Sequence, residues 1–325
     1  MSRLKIAVYT MAKNESQHVQ RFGDTTVDAD VVVVTDTGST DGTPDLLRDR
    51  GIQVHSASIL PWRFDTATNV ALAHVPADVD ICIKLDLDEV LWHPSGDWRS
   101  EIERQWTAGC GQLRYWYTWS WQIRGEVPAI RFRTANIHAR SGFIWRHAGH
   151  AGLFSQCRTP IRELQETEIH HYMTGKSRPD YLSLLQLAVF ENKCPRTLFY
   201  LGREYFFRKI DTNAINTLEE YLAHPAACWK AERAEAMRIL GTCHDRLKQP
   251  SQALARLLQA TAEYPRPVRE LWFAILEHFH RHGDWEGGVW AGQKCLGITA
   301  RDPEYQGSGV AWSAEPYALL HDCAT

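Results

Sequence analysis

Short strands alternating with helices fill the first ~90 residues, and this feature constrains the fold most. Runs rich in β-branched residues and bounded by polar turns predict buried parallel strands at 4–10, 30–36, 52–58 and 81–88. Helical patterns lie between them at 15–22, 40–51 and 66–75. This strand–helix–strand order predicts an α/β domain, a mostly parallel sheet with helices on both faces.

The rest of the chain changes character twice. Residues 110–172 are rich in aromatic and β-forming segments with glycine breaks, which predicts antiparallel additions to the sheet and active-site loops. After Pro179, helical patterns continue to about residue 298. We therefore predict a sheet domain at 1–178, an all-α domain at 179–300 and a C-terminal tail at 301–325.

The helical half contains a degenerate repeat. Leu201-Gly202 is followed 39 residues later by Leu240-Gly241, and each Gly precedes an Ala by the same interval, Ala214 and Ala253. This pattern resembles tetratricopeptide helical hairpins, with a third unit around 272–296. A generic helical bundle is the alternative.

Composition limits the class of protein. No run of about 18 apolar residues exists, so we expect no membrane span. The net charge of −3 indicates no general preference for nucleic acid or membranes. The eight cysteines include no C-x-x-C pair, which predicts reduced thiols and a cytoplasmic location rather than a zinc site or a disulfide framework.

An acidic motif closes the fourth predicted strand, at Asp86-Leu87-Asp88-Glu89. Side chains alternate along a strand, so Asp86 and Asp88 are expected on one side while Leu87 returns to the core. Paired carboxylates at the end of a parallel strand suit a hard cation such as Mg²⁺ or Mn²⁺, which can bridge to a diphosphate. Solvated acidic residues are the alternative.

The second predicted strand supplies context for this acidic motif. It ends at Asp36, and Gly38, Ser39 and Thr40 form a turn into the next helix. Open α/β sheets bind nucleotides in this crevice. Helix capping also explains Ser39 and Thr40, whereas a carboxylate at the strand tip, Asp36, can accept a base N–H.

Four segments, AVYTMAKNES, VVVVTDTGSTDGT, FDTATNVALAHV and ICIKLDLDE, stand in the order and spacing of family 2 glycosyltransferases with the GT-A fold. The chain resembles that family closely over 4–90. Through IHHYMTGKSRPDYLSLL and TLFYLGREYFF it also resembles a bacterial and phage subgroup with a C-terminal helical repeat. The resemblance implies a GT-A nucleotide-diphospho-sugar transferase domain followed by a tetratricopeptide-like domain, an inverting hexosyltransferase activity and a UDP-sugar donor.

The resemblance also implies roles for individual residues. Asp86 and Asp88 match the family's D-x-D metal motif, with Asp88 the direct ligand of Mn²⁺ or Mg²⁺. A further ligand, often a histidine, is expected at the position of His170 and His171; both could instead be structural. The nucleotide-sugar site is predicted to comprise Thr10, Asn14, Glu15, Asp36, Asn69, Lys84 and Asp86.

Two positions depart from the subgroup. Thr68 stands where relatives carry Arg, so one positive charge near the diphosphate is absent or comes from Arg63, Lys84 or Lys176. Ala151 stands where relatives carry a Glu that could act as the base. His150, His147 or Glu89 could replace it, or a thiolate acceptor could need little help; His150 and Glu89 are the predicted catalytic residues.

Residues 99–162 combine ten Arg with three Glu and many aromatic side chains. Such a surface suits an anionic acceptor with flat rings, including hydroxymethylated phage DNA, because Arg contacts phosphates and aromatic rings stack on bases. Polysaccharide and peptide acceptors remain open, as does a purely structural packing of Arg on Trp. The acceptor-binding residues are predicted to be Trp116, Trp119, Arg131 and Arg133.

Together these features predict a metal-dependent glycosyltransferase that moves a sugar to an acceptor hydroxyl or thiol. One alternative is a catalytically impaired binding protein that recruits a partner through its helical repeats. A nucleotidyltransferase is less compatible, because MAKNES after the first strand lacks a glycine-rich signature. A homodimer formed through the helical domain is an alternative to a monomer.

Overall fold

The computed structural model describes residues 3–172, 181–305 and 309–325. The chain divides into two compact units, Met1–Pro179 and Asp180–Thr325. The first is α/β and the second is all-α, which confirms the predicted fold class.

The first unit contains one large sheet and one small sheet. Their strands are β1 (Ile6–Ala12), β2 (Val31–Asp36), β3 (Gln53–Ser56), β4 (Ile81–Lys84), β5 (Glu89–Trp92), β6 (Gln112–Ile123), β7 (Val127–Ala139), β8 (Phe143–Arg146), β9 (Gly152–Ser155) and β10 (Ile161–His171). The helices are α1 (Val19–Thr25), preceded by a 3-10 turn (Ser16–His18), α2 (Thr43–Asp49), α3 (Phe64–Ala73) and α4 (Trp98–Gln105).

The large sheet has the strand order β3-β2-β1-β4-β7-β6-β10-β5. Its first four strands are parallel to one another. The long β6–β7 hairpin adds to β4 in antiparallel orientation, as expected for this part of the chain. β10 then runs parallel to β6, and β5 closes the sheet antiparallel to β10. β8 and β9 form the separate two-stranded sheet.

Strand β1 shows why the large sheet is covered on both faces. Ile6 and Val8 pack in one core with side chains of α1, α2 and α4, whereas Ala7 and Tyr9 pack in a second core with α3 and β8. Successive strand residues point to opposite faces, so an uninterrupted apolar strand requires two cores.

The end of the fourth strand, which carries the acidic motif, differs from the prediction. β4 ends at Lys84, and Asp86 and Asp88 lie in the turn before β5. The prediction of a strand reaching Asp88 is therefore wrong. The reason is that the chain reverses here to form β5, which pairs with β10 at the far side of the sheet.

The second unit consists of helices. They are α5 (Leu182–Glu191), α6 (Pro195–Phe207), α7 (Asp211–Ala223), α8 (Lys230–Arg246), α9 (Pro250–Glu263), α10 (Arg269–His282), α11 (Trp285–Leu296) and α12 (Glu315–Ala324), with a 3-10 turn at Gly309–Trp312. The segment predicted as a tail thus contains α12, which packs with α10 and α11 through Cys323 and Leu319.

The 39-residue period corresponds to a repeated helix contact. A Cβ atom on Gly202 of α6 would lie 2.6 Å from Leu218 of α7, and one on Gly241 of α8 would lie 2.6 Å from Leu257 of α9. Both glycines therefore let the two helices of a hairpin approach closely. α10 and α11 form the third hairpin.

All eight cysteines are free in the structure. Among the described residues, no helix is both long and apolar enough to cross a membrane.

Candidate active site

The carboxyl ends of β1, β2 and β4 meet at one edge of the large sheet. β1 and β2 are parallel with Ala12 opposite Asp36, and β4 is parallel to β1 with Lys84 opposite Tyr9. The segments that follow these strands therefore lie at the edge where open α/β sheets bind ligands. They carry most of the predicted donor and metal residues.

The turn between β4 and β5 presents both aspartates of the acidic motif. Leu85 and Leu87 are buried in the core and alternate with Asp86 and Asp88, whose side chains are partly exposed. The Glu89 N–H closes the turn by donating to the carbonyl oxygen of Asp86 at 3.0 Å. The leucines anchor the turn, and the carboxylates consequently face away from the core.

Asp86 is held by two groups that contact the same carboxylate oxygen. The Thr10 hydroxyl donates to Oδ1 at 3.1 Å, and the Lys84 ammonium forms an ion pair with Oδ1. Burial lowers the pKa of Lys84, but Asp86 and Glu89 outweigh burial and raise that pKa above its usual value. Lys84 is therefore charged and neutralises this pair of carboxylates.

Asp88 faces the imidazole of His171. Nε2 of His171 lies 3.2 Å from Oδ2 of Asp88, and Nδ1 lies 3.0 Å from the carbonyl oxygen of Trp119. A carbonyl only accepts, so Nδ1 must carry a hydrogen. In a neutral imidazole Nε2 would then point a lone pair at a carboxylate. The contact therefore requires a positive charge, either a second proton on His171 or a cation.

The titration of this pair agrees with that requirement. Burial lowers the pKa of His171, but the hydrogen bond and charge of Asp88 outweigh burial and raise it. Burial raises the pKa of Asp88, yet His171 outweighs burial and lowers it. The site therefore favours a negative carboxylate beside a positive group.

The two predicted histidine ligands separate in the structure. They are consecutive in strand β10, so their side chains leave the strand in different directions. Nε2 of His170 lies 3.0 Å from Glu168, and its ring stacks on Trp92 at 5.1 Å. Of the predicted pair, His171 is thus the residue beside Asp88, and His170 belongs to a packed aromatic cluster.

Asp36 lies at the tip of β2 and is 6% exposed. Its carboxylate accepts hydrogen bonds from the N–H groups of Gly38 and Ser39, each at 3.1 Å. Gly38 has a φ of 101°, a conformation that favours glycine and turns the chain back toward Asp36. The aspartate is therefore fixed in orientation at the sheet edge.

Asn14 and Glu15 belong to the loop after β1, which is joined to the loop after β2. The side-chain Oδ1 of Asn14 accepts the Thr40 N–H at 2.8 Å, and the backbone N–H of Asn14 donates to the Ser39 hydroxyl at 2.9 Å. The N–H of Glu15 donates to Thr43 at 2.8 Å. These bonds hold the two loops together beside Asp36.

Asn69, predicted to bind the donor, is used within the protein. Its side-chain amide donates to the Trp145 carbonyl at 2.8 Å and accepts the Trp145 N–H at 2.9 Å, which joins α3 to β8. Its neighbour Thr68, at the position of the missing arginine, is buried. Of the other proposed sources of charge, Arg63 pairs with Asp65 at 2.9 Å, and Lys176 lies outside the described residues.

Glu89, one of the predicted bases, has both oxygens engaged and is 7% exposed. Oε1 accepts the Tyr117 hydroxyl at 2.7 Å, and Oε2 accepts the N–H of Asp86 at 2.8 Å. Burial and the nearby Asp86 raise the pKa of Glu89 to about 7. This arrangement fastens the turn that carries the aspartates to β6.

His150, the other predicted base, is exposed in the loop between β8 and β9. In the same loop, the carbonyl of Ala148 accepts the N–H of Phe64, the first residue of α3. Because α3 begins after the carboxyl end of β3, this loop lies at the same edge of the sheet as Asp36. His147, the further alternative, is buried and packs edge-on against Phe154.

The arginines predicted to bind the acceptor are paired inside the protein. Arg131 forms an ion pair with Glu168, and Arg133 forms one with Glu163. Both guanidinium groups also lie over the ring of Trp116, at 4.4 and 4.6 Å. Glu163 and Glu168 lie just beyond the stretch 99–162 over which the positive surplus was counted, and they compensate the charges of Arg131 and Arg133 within the protein.

Trp119 differs from the other predicted acceptor residues. It is 42% exposed and stacks on His171 at 4.7 Å. Tyr117, two residues earlier on β6, holds Glu89. The contact of β6 with the acidic motif was not predicted from the sequence. The signal available for it was the alternation along a strand, which places residues 117 and 119 on one side of β6.

Comparison with known proteins gives partial similarities. No protein-family model and no curated protein matches the chain. Glucosyl-3-phosphoglycerate synthase from Mycobacterium tuberculosis, solved with Mn²⁺, UDP and glucosyl-3-phosphoglycerate, is 25% identical over 36% of this chain and 44% of its own, with a TM-score of 0.29.

Two further structures are similar over part of the chain. Pseudomonas aeruginosa pilF is 14% identical over 44% of this chain, which spans 59% of the pilF structure, with a TM-score of 0.36. YrrB, a TPR protein, is 17% identical over 44% of this chain and 66% of its own, with a TM-score of 0.33. These likenesses are partial.

Proposed function

We propose that this protein is a metal-dependent glycosyltransferase of the GT-A type, which transfers a sugar from a UDP-linked donor to an acceptor hydroxyl or thiol. The observation that carries the proposal is the contact of Asp88 with His171, which brings a carboxylate oxygen within 3.2 Å of an imidazole nitrogen whose partner nitrogen is committed to a carbonyl. Asp36 and the loops joined beside it end at the same edge of the sheet. A cation site beside a fixed carboxylate suits a nucleotide diphosphate.

The donor base is proposed to lie at Asp36. Its carboxylate is held by the Gly38 and Ser39 N–H groups, so it is already oriented to accept an N–H from a base. Asn14 and Glu15 help to form the wall of this site through the joined loops. An oriented acceptor loses little conformational freedom when the donor binds.

The metal is proposed to bind at Asp88 and His171. A carboxylate oxygen and an imidazole nitrogen fit Mn²⁺ better than Mg²⁺, which prefers oxygen ligands. A bound divalent ion would act as a Lewis acid on the leaving diphosphate. Thr10 and Lys84 hold Asp86 in place, so the Lys84 charge serves the protein's own carboxylates.

The acceptor proton is proposed to pass to His150. This residue is exposed at the edge of the sheet, whereas Glu89 is buried with both oxygens engaged. A general base must reach the proton that it takes. Glu89 is therefore assigned a positioning role, since it holds the N–H of Asp86 and thereby the turn.

An acceptor ring is proposed to stack on Trp119. Its exposed indole lies on His171 and so borders the proposed metal site. Aromatic rings stack on sugars and bases alike, so this contact fits a polysaccharide, glycopeptide or nucleic acid acceptor.

A donor screen tests this proposal without knowledge of the acceptor. UDP-glucose, UDP-galactose and UDP-N-acetylglucosamine are compared with GDP-mannose, and nucleotide release is measured in Mn²⁺ and in EDTA. We expect release from a UDP-sugar in Mn²⁺ and its loss in EDTA. Absence of release from every donor, or equal rates in EDTA, would contradict the proposal.

Asp36→Asn tests the base-binding site by its effect on UDP affinity. The amide oxygen can still accept the turn N–H groups, so the loop is retained while the charge is lost. We expect UDP binding measured by calorimetry to weaken by about 1–3 kcal/mol. Asp45→Asn is the matched control, since Asp45 is exposed on α2 and pairs with Arg48. Equal UDP affinity of the two variants would place the base elsewhere.

A further inference from the structure

A second carboxylate–imidazole cluster lies in the helical unit. Asp245, near the end of α8, is 2% exposed. Its Oδ1 lies 2.8 Å from Nδ1 of His278 and 3.0 Å from Nε2 of His282. Both histidines belong to α10, and their spacing of four residues places them on one face of that helix.

We propose that Asp245, His278 and His282 bind a divalent transition-metal ion, with Zn²⁺ as the representative. Two imidazole nitrogens and one carboxylate oxygen form a ligand set used by zinc and its first-row neighbours. The three ligand atoms lie within 4.8 Å of one another. None of these residues belongs to the proposed active site, so the inference stands independently of the glycosyltransferase proposal.

Arg281 supports the carboxylate from outside the triad. Its Nη1 donates to Oδ2 of Asp245 at 2.8 Å. Oδ1, the oxygen between the two imidazoles, is then the oxygen available to an ion. Carboxylates that bind metals are commonly oriented by such a second hydrogen bond.

An ion at this position would join two hairpins of the repeat. Asp245 lies on the second hairpin and the histidines on the third, so the ion would link α8 to α10. The His282 side chain is 30% exposed, which gives an ion access from solvent. Because an ion bound to the folded state stabilises it, Zn²⁺ should raise the melting temperature of the protein.

Zinc titration of the tag-free full-length protein tests this inference. The Asp88→Asn variant is used as the background, so that the site in the sheet unit contributes least. We expect one equivalent of Zn²⁺ to bind by calorimetry, with a rise in melting temperature. His282→Gln in that background should weaken zinc binding by about 100-fold and abolish the thermal shift.

His280→Gln is the matched control. His280 lies on the same helix with a similar exposure of 31%, but it pairs with Asp322. This variant should bind zinc like the background protein, and His282→Asn should repeat the loss. Absence of zinc binding, or equal binding by the His280 and His282 variants, would overturn the proposal and leave the cluster as hydrogen bonding around a buried carboxylate.

Discussion

The two units each contain a carboxylate beside histidine, and they supply positive charge to it differently. Asp245 in the helical unit is contacted by His278, His282 and the permanently charged Arg281. Asp88 in the sheet unit faces His171, whose other nitrogen is committed to a backbone carbonyl. Asp245 therefore has a fixed cation on one oxygen, whereas Asp88 depends on a proton or a bound ion.

This difference shows that burial alone does not identify a catalytic carboxylate. Burial raises the pKa of both aspartates, and in each case hydrogen bonds and nearby cations outweigh it and lower the pKa. The two sites differ in which groups surround the carboxylate. We expect substitutions at Asp88 to affect turnover and substitutions at Asp245 to affect stability.

The largest expected effect is that of Asp88→Asn on donor turnover. Replacing a charged ligand by a neutral amide should lower Mn²⁺-dependent release of UDP by about 1000-fold, or about 4 kcal/mol. The unfolding midpoint should change little. Asp78→Asn is the control, because Asp78 is an exposed carboxylate of the same unit paired with Lys5. Turnover by Asp88→Asn at the parent rate would remove Asp88 from the mechanism.

For Asp245→Asn we expect the reverse, a loss of stability with little change in turnover. Loss of the carboxylate charge leaves Arg281 without its counter-charge and removes a hydrogen-bond partner of the buried His278, which should destabilise the helical unit by about 3 kcal/mol. UDP release should stay within about twofold of the parent rate. Denaturant unfolding in EDTA measures the first quantity. If Asp245→Asn abolished turnover while the protein remained folded, the assignment of turnover to Asp88 and of stability to Asp245 would be contradicted.

Glu89 allows the positioning role to be separated from a structural one. Glu89→Ala removes the acceptor of the Asp86 N–H and should lower turnover by about 10–100-fold. Glu89→Gln retains an acceptor oxygen and should recover most of that loss, with an unchanged KM for the donor. Equal activity of the Ala and Gln variants would assign the carboxylate charge, rather than its hydrogen bond, to catalysis.

The buried carboxylate of Glu101 offers a pH test in the sheet unit. It accepts N–H groups of Gln165, Glu166 and Thr167, at the point where the pairing of β10 with β6 shifts register. Burial raises the pKa of Glu101, but the Thr167 hydroxyl and these N–H groups outweigh burial and lower it. Its stabilisation is therefore present above the unfolded-state pKa and is lost as pH falls through the lower folded-state value.

Glu101→Gln should accordingly be less stable than the parent by about 2 kcal/mol at neutral pH. The difference in unfolding free energy between the two proteins should narrow below about pH 4, the pKa of a glutamate in the unfolded chain. Unfolding free energies from pH 3 to pH 7 measure it. A constant gap across that range would mean that the charge of Glu101 contributes nothing.

The smallest effects distinguish Trp116 from Trp119, two of the tryptophans of β6. Trp116→Ala removes the ring under Arg131 and Arg133 and should cost about 1–2 kcal/mol of stability. Trp119→Ala, at an exposed position, should change stability by less than about 0.5 kcal/mol but slow transfer to a ring-bearing acceptor. If Trp119→Ala unfolds the protein more readily than Trp116→Ala, the assignment of Trp119 to the acceptor is contradicted.

Much of the fold could be predicted because the relevant patterns are local. The run around Ile6 and Val8 is apolar on both faces, and such a strand needs two cores whatever surrounds it. The Gly202 and Gly241 positions predicted the repeat, since close helix packing requires a missing side chain at a fixed interval. The prediction of where β4 ends was wrong, because the pairing of β5 with the distant β10 decides where the chain turns.

The candidate site divides in the same way. Sequence alone determined that Asp36, Asp86 and Asp88 lie at the carboxyl ends of strands of one parallel sheet, because parallel strands end at a common edge. Tertiary structure decided that His171 rather than His170 reaches Asp88, and that Glu163 and Glu168 neutralise the arginines of β7. Those contacts join residues far apart in the chain, and the energy of a charged side chain depends on the groups around it in space.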